Sequence, residues 1–265
     1  MAFTPPSLAS ETIATIAGFP IRNSMVMAWL AMAVIIIASL VLRKKGLKMV
    51  PRGFQNFMET IVEGLFNFFN SITQDRAQTR KFFPLVATIF IFIICSNWMG
   101  ILPGVGPIGF YTHEHEFIPF FRSAYADVNM TLAIAIISVF ATQMFGIMNL
   151  GFFKYAGKFF VNPLRDPIGA FVGILELISE FAKMISFSFR LFGNIFAGEI
   201  LLTVITFLAP IVAPIPFYGL ELFVGLIQAL VFALLTIVFM KMAVTSHHEE
   251  HDEKNREASH ESAHA

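Results

Sequence analysis

The chain has 265 residues, 56% of them hydrophobic and only 14% charged, with 32 phenylalanines. A soluble domain carries about 25% charged residues, so this composition excludes an ordinary water-soluble enzyme and a disordered chain alike. The 18 basic and 18 acidic residues cancel, which leaves no basic field for nucleic acid. The lone cysteine, Cys95, cannot form an internal disulfide or a cysteine-pair zinc site. A mean hydropathy of +0.72 and several apolar runs of membrane-crossing length predict an all-α polytopic protein within a lipid bilayer.

The opening residues lack the basic n-region and cleavage site of a secretory signal, so Met1 is expected to be retained. After an N-terminal segment, 1–24, a first span over 25–42 stops at Arg43, Lys44 and Lys45. Apolar residues at 54, 57, 58, 61, 65, 68, 69 and 72, backed by Gln55, Asn56, Glu59 and Glu63, predict an amphipathic helix over 54–72. Such a helix lies in the membrane interface or docks a partner. A second span, 82–102, follows Arg80 and Lys81, and a third covers 129–152. The loop between the first two spans also holds Lys48, Arg52 and Arg76, and the loop after the third holds Lys154, Lys158 and Arg165. The loop between the second and third has Arg122 as its only fixed cation. Cation-rich loops stay cytoplasmic, which places the N-terminus outside and the C-terminus inside.

From Pro167 to Leu208 there is no internal proline, and Pro210, Pro214 and Pro216 then mark a turn. A helix over 168–208 would be about 60 Å long, twice the roughly 30 Å hydrocarbon core. The expectation is about five membrane helices, the last two (168–208 and 217–244) forming a long hairpin that is steeply tilted or nearly horizontal. The alternative is two short spans hinged at Gly193. A polar tail, 247–265, rich in His and Glu, is expected to be a disordered cytoplasmic extension.

The charges inside the hairpin are the main functional signal. Each costs at least about 2.5 kcal/mol at a bilayer centre. At 100° per residue, Glu176, Ser179, Lys183, Ser186, Arg190 and Asn194 lie within roughly 40° of one direction, Glu180 sits at the rim, and Glu199 points the opposite way. Glu221 and Gln228 share one face of the following helix. Polar glue between helices is the plain explanation for single members of this set. For the whole stripe, with an arginine at mid-helix, a hydrated ion path is the better one.

The run Ser188-Phe189-Arg190-Leu191-Phe192-Gly193-Asn194-Ile195-Phe196-Ala197-Gly198-Glu199 closely resembles the arginine-bearing segment of subunit a of the F-type ATP synthase membrane (Fo) sector, bacterial type. Ala126-Asp127-Val128-Asn129, Gln228-Ala229 and Leu235-Thr236-Ile237-Val238 add to the resemblance, which runs from about Phe82 to Ala243. It implies a proton-translocating stator that faces a ring of c subunits and offers two offset half-channels to their membrane carboxylates. Arg190 then takes the place of the central arginine, a cation that stays protonated at physiological pH and cannot relay a proton. Gln228 matches the glutamine across from it, and Asn194 lines the same interface. Glu199 and Glu221 map to the pair lining the outer half-channel, where two carboxylates are expected to share a proton. Glu176, Ser179, Glu180 and Lys183 become exit-path candidates, with Lys183 alternatively a structural partner of Glu180 at i,i+3. The implied partners are the c-subunit ring, the peripheral-stalk b subunits and the rest of the synthase, in a bacterial inner membrane. Neither a cofactor nor bond-making chemistry by the isolated chain is implied.

Other residues carry plainer expectations. His113-Glu114-His115-Glu116 lacks zincin spacing and is expected to be a solvated loop. Asp127 is expected to cap the third span, and Trp29 and Trp98 to be interfacial or packing residues. A self-contained secondary transporter is the rival class, but no second copy of the arginine segment supplies the paired repeat such proteins use. An intramembrane hydrolase would need a nucleophile with a base or metal, and every histidine lies in a loop or the tail.

Overall fold

Apolar runs without internal turn signals become helices, because only a helix satisfies every backbone group within its own segment in lipid. The computed structural model describes residues 9–16, 18–44, 52–102, 105, 108–111, 117–159, 167–210 and 212–245. Seven α-helices run through them: α1 (Asn23–Lys44), α2 (Phe54–Thr73), α3 (Arg76–Ile101), α4 (Val128–Leu150), α5 (Phe152–Phe159), α6 (Pro167–Leu208) and α7 (Pro214–Thr245). Five of these, α1, α3, α4, α6 and α7, are long and apolar enough to cross a membrane. Lys45, Lys48, Pro103-Gly104, His113–Glu116, Arg165 and the tail with His247, His248 and His251 lie outside the described residues.

Several helix ends differ from the hydropathy boundaries because capping, not apolarity, decides them. Helix α3 starts six residues before 82, since the Asp75 side chain accepts from the backbone N–H groups of Ala77 and Gln78, satisfying donors that the helix cannot pair internally. Arg80 and Lys81 are therefore helical. Asp127 caps α4 in the same way through Asn129 N–H. Helix α4 ends where Gly151 takes φ 80°, and the chain restarts as the short α5. Helix α7 begins at Pro214 with Pro216 in its first turn, a position where proline's missing N–H costs nothing.

Helix α6 is one uninterrupted rod of 42 residues. The hinge at Gly193 does not occur: that residue is helical, and a Cβ there would meet nothing. At about 60 Å and apolar along its length, the rod fits a bilayer only if it lies steeply over.

Helices α3, α4, α6 and α7 share the core, with Phe82, Ile93, Leu191, Phe232, Ile237 and Met240 among its buried members. Short polar links hold them together where lipid supplies no hydrophobic drive between helices. Ser138 and Thr236 join α4 to α7 at 2.8 Å, and Thr131 meets Ser188 between α4 and α6 at 3.0 Å. The Asn97 amide donates to the Gly225 carbonyl at 3.1 Å, and the Trp98 indole donates to the Leu222 carbonyl at 3.1 Å. Trp98 thus anchors α3 to α7 rather than only packing. Lys241 on α7 donates to the Ile72 carbonyl at 3.2 Å and ties down the end of α2.

Two short hairpins were not expected from the sequence. Strand β1 (Thr12–Ile16) pairs with β2 (Phe19–Arg22), and β3 (Gly109–Tyr111) pairs with β4 (Phe117–Pro119). Gly18 takes φ 84° between the first pair, a conformation glycine adopts without strain. The chain remains all-α in class.

Candidate functional site

At the end of the bundle where α6 turns into α7, Glu199 and Glu221 line one cavity of about 390 Å³ together with Asn97, Arg122, Ser123 and Tyr218. Glu221 is buried and makes no hydrogen bond or ion pair among the described residues. Its carboxylate occupies the space over Gly198, where any Cβ would collide with it. Glu199 has a cation for a partner: the Arg122 guanidinium donates to its Oε1 from Nε at 3.0 Å and to its Oε2 from Nη2 at 3.3 Å. Arg122 is 5% exposed, donates from Nη1 to the Ala9 carbonyl at 3.2 Å and has the Phe196 ring 6.0 Å from its guanidinium carbon. The sequence expectation of two carboxylates sharing one proton therefore meets an unforeseen third group. Its one legible signal was that Arg122 is the sole fixed cation of its loop.

The Arg122 loop is itself held in place. Five residues on, buried Asp127 accepts from Ser10 Oγ at 2.5 Å, from Ser24 Oγ at 3.0 Å and from Asn129 N–H at 2.9 Å. Arg22 stands 3.6 Å away. Burial alone would raise the Asp127 carboxyl, but the donors from Ser10, the Asn129 backbone, Ser24 and the Asn129 side chain outweigh it and hold the group below its ordinary value.

Toward the other end of α6, Glu180 lines a second cavity of about 390 Å³ between α4 and α6, with Gln143, Phe159 and Phe181. Lys183 is paired with Glu180 at 2.6 Å, and its ammonium sits 4.7 Å from the centre of the Phe239 ring. Tyr155 on α5 donates to the Gln143 carbonyl oxygen. Its hydroxyl is pushed up to about 12, first by burial and then by the charges of Glu180 and Glu176. Glu176 is partly buried and Ser179 exposed. The polar stripe is thus divided, with Lys183 and Glu180 turned toward the protein while Ser179, Ser186 and Arg190 face outward.

Arg190 lies between the two cavities, roughly 15 Å along the helix from each carboxylate. It is exposed, with no hydrogen bond or ion pair among the described residues. One turn on, Asn194 donates from Nδ2 to Gln228 Oε1 at 2.6 Å. Gln228 is buried, and its Nε2 has no partner among the described residues. Gln228 thus reaches the neighbour of the arginine rather than the arginine itself.

Five spanning-length helices that carry ionisable groups into cavities and onto an outer face define a multi-pass membrane protein of the ion-transport class. The sequence profile of the family described as "ATP synthase A chain" matches residues 25–241. The chain is 36% identical over 219 residues to "ATP synthase subunit a" of Campylobacter curvus, covering 81% of this chain and 86% of that protein. It is 36% identical over 208 residues to the protein of that name from Syntrophobacter fumaroxidans, covering 77% of each. For Geotalea uraniireducens the identity is 36% over 221 residues, covering 83% of this chain and 86% of the relative. The chain belongs to the ATP synthase subunit a family, a component of the Fo membrane sector.

Proposed function

We propose that this chain is the proton-translocating stator of a rotary ATP synthase, with Arg190 as the barrier between two half-channels. The observation that carries this is the position of Arg190: an exposed cation at the middle of a membrane helix, unpaired among the described residues, with one acid-lined cavity toward each end. A bare guanidinium facing lipid is costly, and a carboxylate arriving on a partner's helix removes that cost. The c-subunit ring supplies such a carboxylate, and buried Gln228 orients Asn194 beside the arginine.

In this mechanism protons enter through the Glu199–Glu221 cavity and leave past Glu180, Lys183, Glu176 and Ser179. Arg190 favours the ionised form of each passing ring carboxylate, so the proton comes off there. Because a guanidinium does not give up its proton at physiological pH, no relay joins the two cavities directly. The isolated chain forms no covalent bond. Loop charge places Met1 outside and Ala265 in the cytoplasm of a bacterial inner membrane, with the peripheral-stalk b subunits holding the stator still.

The test is ATP-driven pumping and passive leak in vesicles matched for assembled complex. Arg190→Ala should abolish coupled pumping and raise passive leak. Arg190→Lys should also fail, since an ammonium lacks the planar, permanently protonated fork. Normal pumping by assembled Arg190→Ala refutes the mechanism.

A further inference from the structure

The outer cavity holds two carboxylates in unlike surroundings, and the difference comes from a segment that does not line the membrane path. Glu199 is gripped by the buried Arg122 through both oxygens, while Glu221 faces the cavity with no cation bonded to it among the described residues. Arg122 is held in turn by the N-terminal segment. The Ala9 carbonyl accepts from its Nη1, and the next residue, Ser10, donates to Asp127 five positions beyond the arginine. Strand β2 ends at Arg22, which stands beside the same carboxylate, and Ser24 adds a second hydroxyl. The N-terminal hairpin is thus a strap that fixes the Arg122 loop beside α6.

We propose that Arg122 is a positioning residue that holds Glu199 in an ion pair on the cavity wall, leaving Glu221 as the carboxylate that carries the proton through the outer cavity. This rests on the half-channel assignment above and divides a role that the sequence alone gave to both acids. A guanidinium bonded to a carboxylate through two nitrogens favours the charged form of the acid strongly. The other groups that face Glu199 supply no second cation: Glu11 of the N-terminal segment contributes a negative charge that opposes the guanidinium, as burial does, α7 contributes Glu221 and Tyr218, and α3 contributes neutral Asn97. Arg190 points to the opposite side of α6.

The experiment measures passive proton uptake through the Fo sector in vesicles stripped of the catalytic head and matched for assembled complex, as pH is varied on the side of this cavity. Arg122→Gln leaves two or three carboxylates facing one another. Uptake should fall about tenfold, and its pH midpoint should move up by about one unit or more. Glu199→Gln alone takes the carboxylate from the guanidinium's two-nitrogen grip and should also be impaired, whereas removing both members of the pair restores the net charge. Arg122→Gln/Glu199→Gln should therefore exceed either single variant by several-fold, with the pH midpoint back near that of the native protein. Glu221→Gln should be impaired whatever stands at 122 and 199. If Arg122→Gln does not assemble, the comparison of Glu199→Gln with the double variant carries the test. A double variant no better than Glu199→Gln, or a midpoint that never moves, overturns the assignment and makes Glu199 itself a proton carrier. Arg190→Ala is the separate control: normal pumping there removes the stator reading, while a defect there with no recovery in the double variant removes only the role of Arg122.

Discussion

Gly198 and Glu221 meet between α6 and α7 at the outer cavity, and the absence of a side chain on one makes room for the carboxylate of the other. Gly198→Ala should leave the subunit assembled, because the atom in the way is the free end of a flexible side chain. It should nevertheless move that carboxylate and lower proton uptake about tenfold, as small displacements of a reacting group do. Glu221→Asp in the same background, one methylene shorter, should recover part of the loss. Asp127 offers a second prediction. Asp127→Ala strands the Ser10 and Ser24 hydroxyls, at a cost of about 1–3 kcal/mol. Faster hydrogen exchange across residues 12–22 should report it. Its carboxyl is depressed in the folded state, so its contribution is fully present above the ordinary carboxylate range and is lost as pH falls through the lower folded value. The strap should therefore stay attached to Asp127 at neutral pH and loosen only below about pH 4.

Helix pairing rests on a few hydroxyl contacts whose donors and acceptors are assigned by chemistry. Thr236 donates to the Phe232 carbonyl at 2.8 Å, so across to α4 it accepts from Ser138. A double-mutant cycle of Ser138→Ala and Thr236→Val, read by thermal unfolding in detergent, should give a coupling of about 0.6 kcal/mol, the mean for such bonds in membranes. A coupling near zero would mean that packing alone joins α4 to α7. Helix α1 stands differently. Only its Asn23, Ser24, Met27, Ala28 and Ala31 are buried, while Ile36, Ile37 and Leu40 are exposed. Its N-terminal end is fixed through Arg22 and Ser24 to Asp127.

The whole molecule places one acid-lined cavity toward each end of the hairpin, so the assignment of uptake and release depends on which end faces outward. A reporter fused after Ala265 should be active only on the cytoplasmic side. Activity on the outer face would exchange the two cavities and reverse the direction of synthesis-linked flow through them.

Membrane class, the five spanning-length helices and the long hairpin were legible in the chain because hydropathy and length need no knowledge of neighbours, whereas the short α5 was not. Arg190, Asn194, Glu199, Glu221 and Gln228 stood out for a similar reason, since ionisable or amide groups in apolar helices are conspicuous wherever they lie. Helix phase even placed Glu199 opposite Arg190. Helix ends were less legible, because Asp75 and the residues near Gly151 act through backbone geometry that hydropathy does not register. Tertiary structure alone decided who meets whom. The partnership of Arg122 with Glu199, 77 positions apart, and of Ser10 with Asp127, 117 positions apart, leaves no periodic trace in a sequence. Such contacts depend on how separate elements close upon one another, and the N-terminal segment thereby bears, through Arg122, on the surroundings of Glu199.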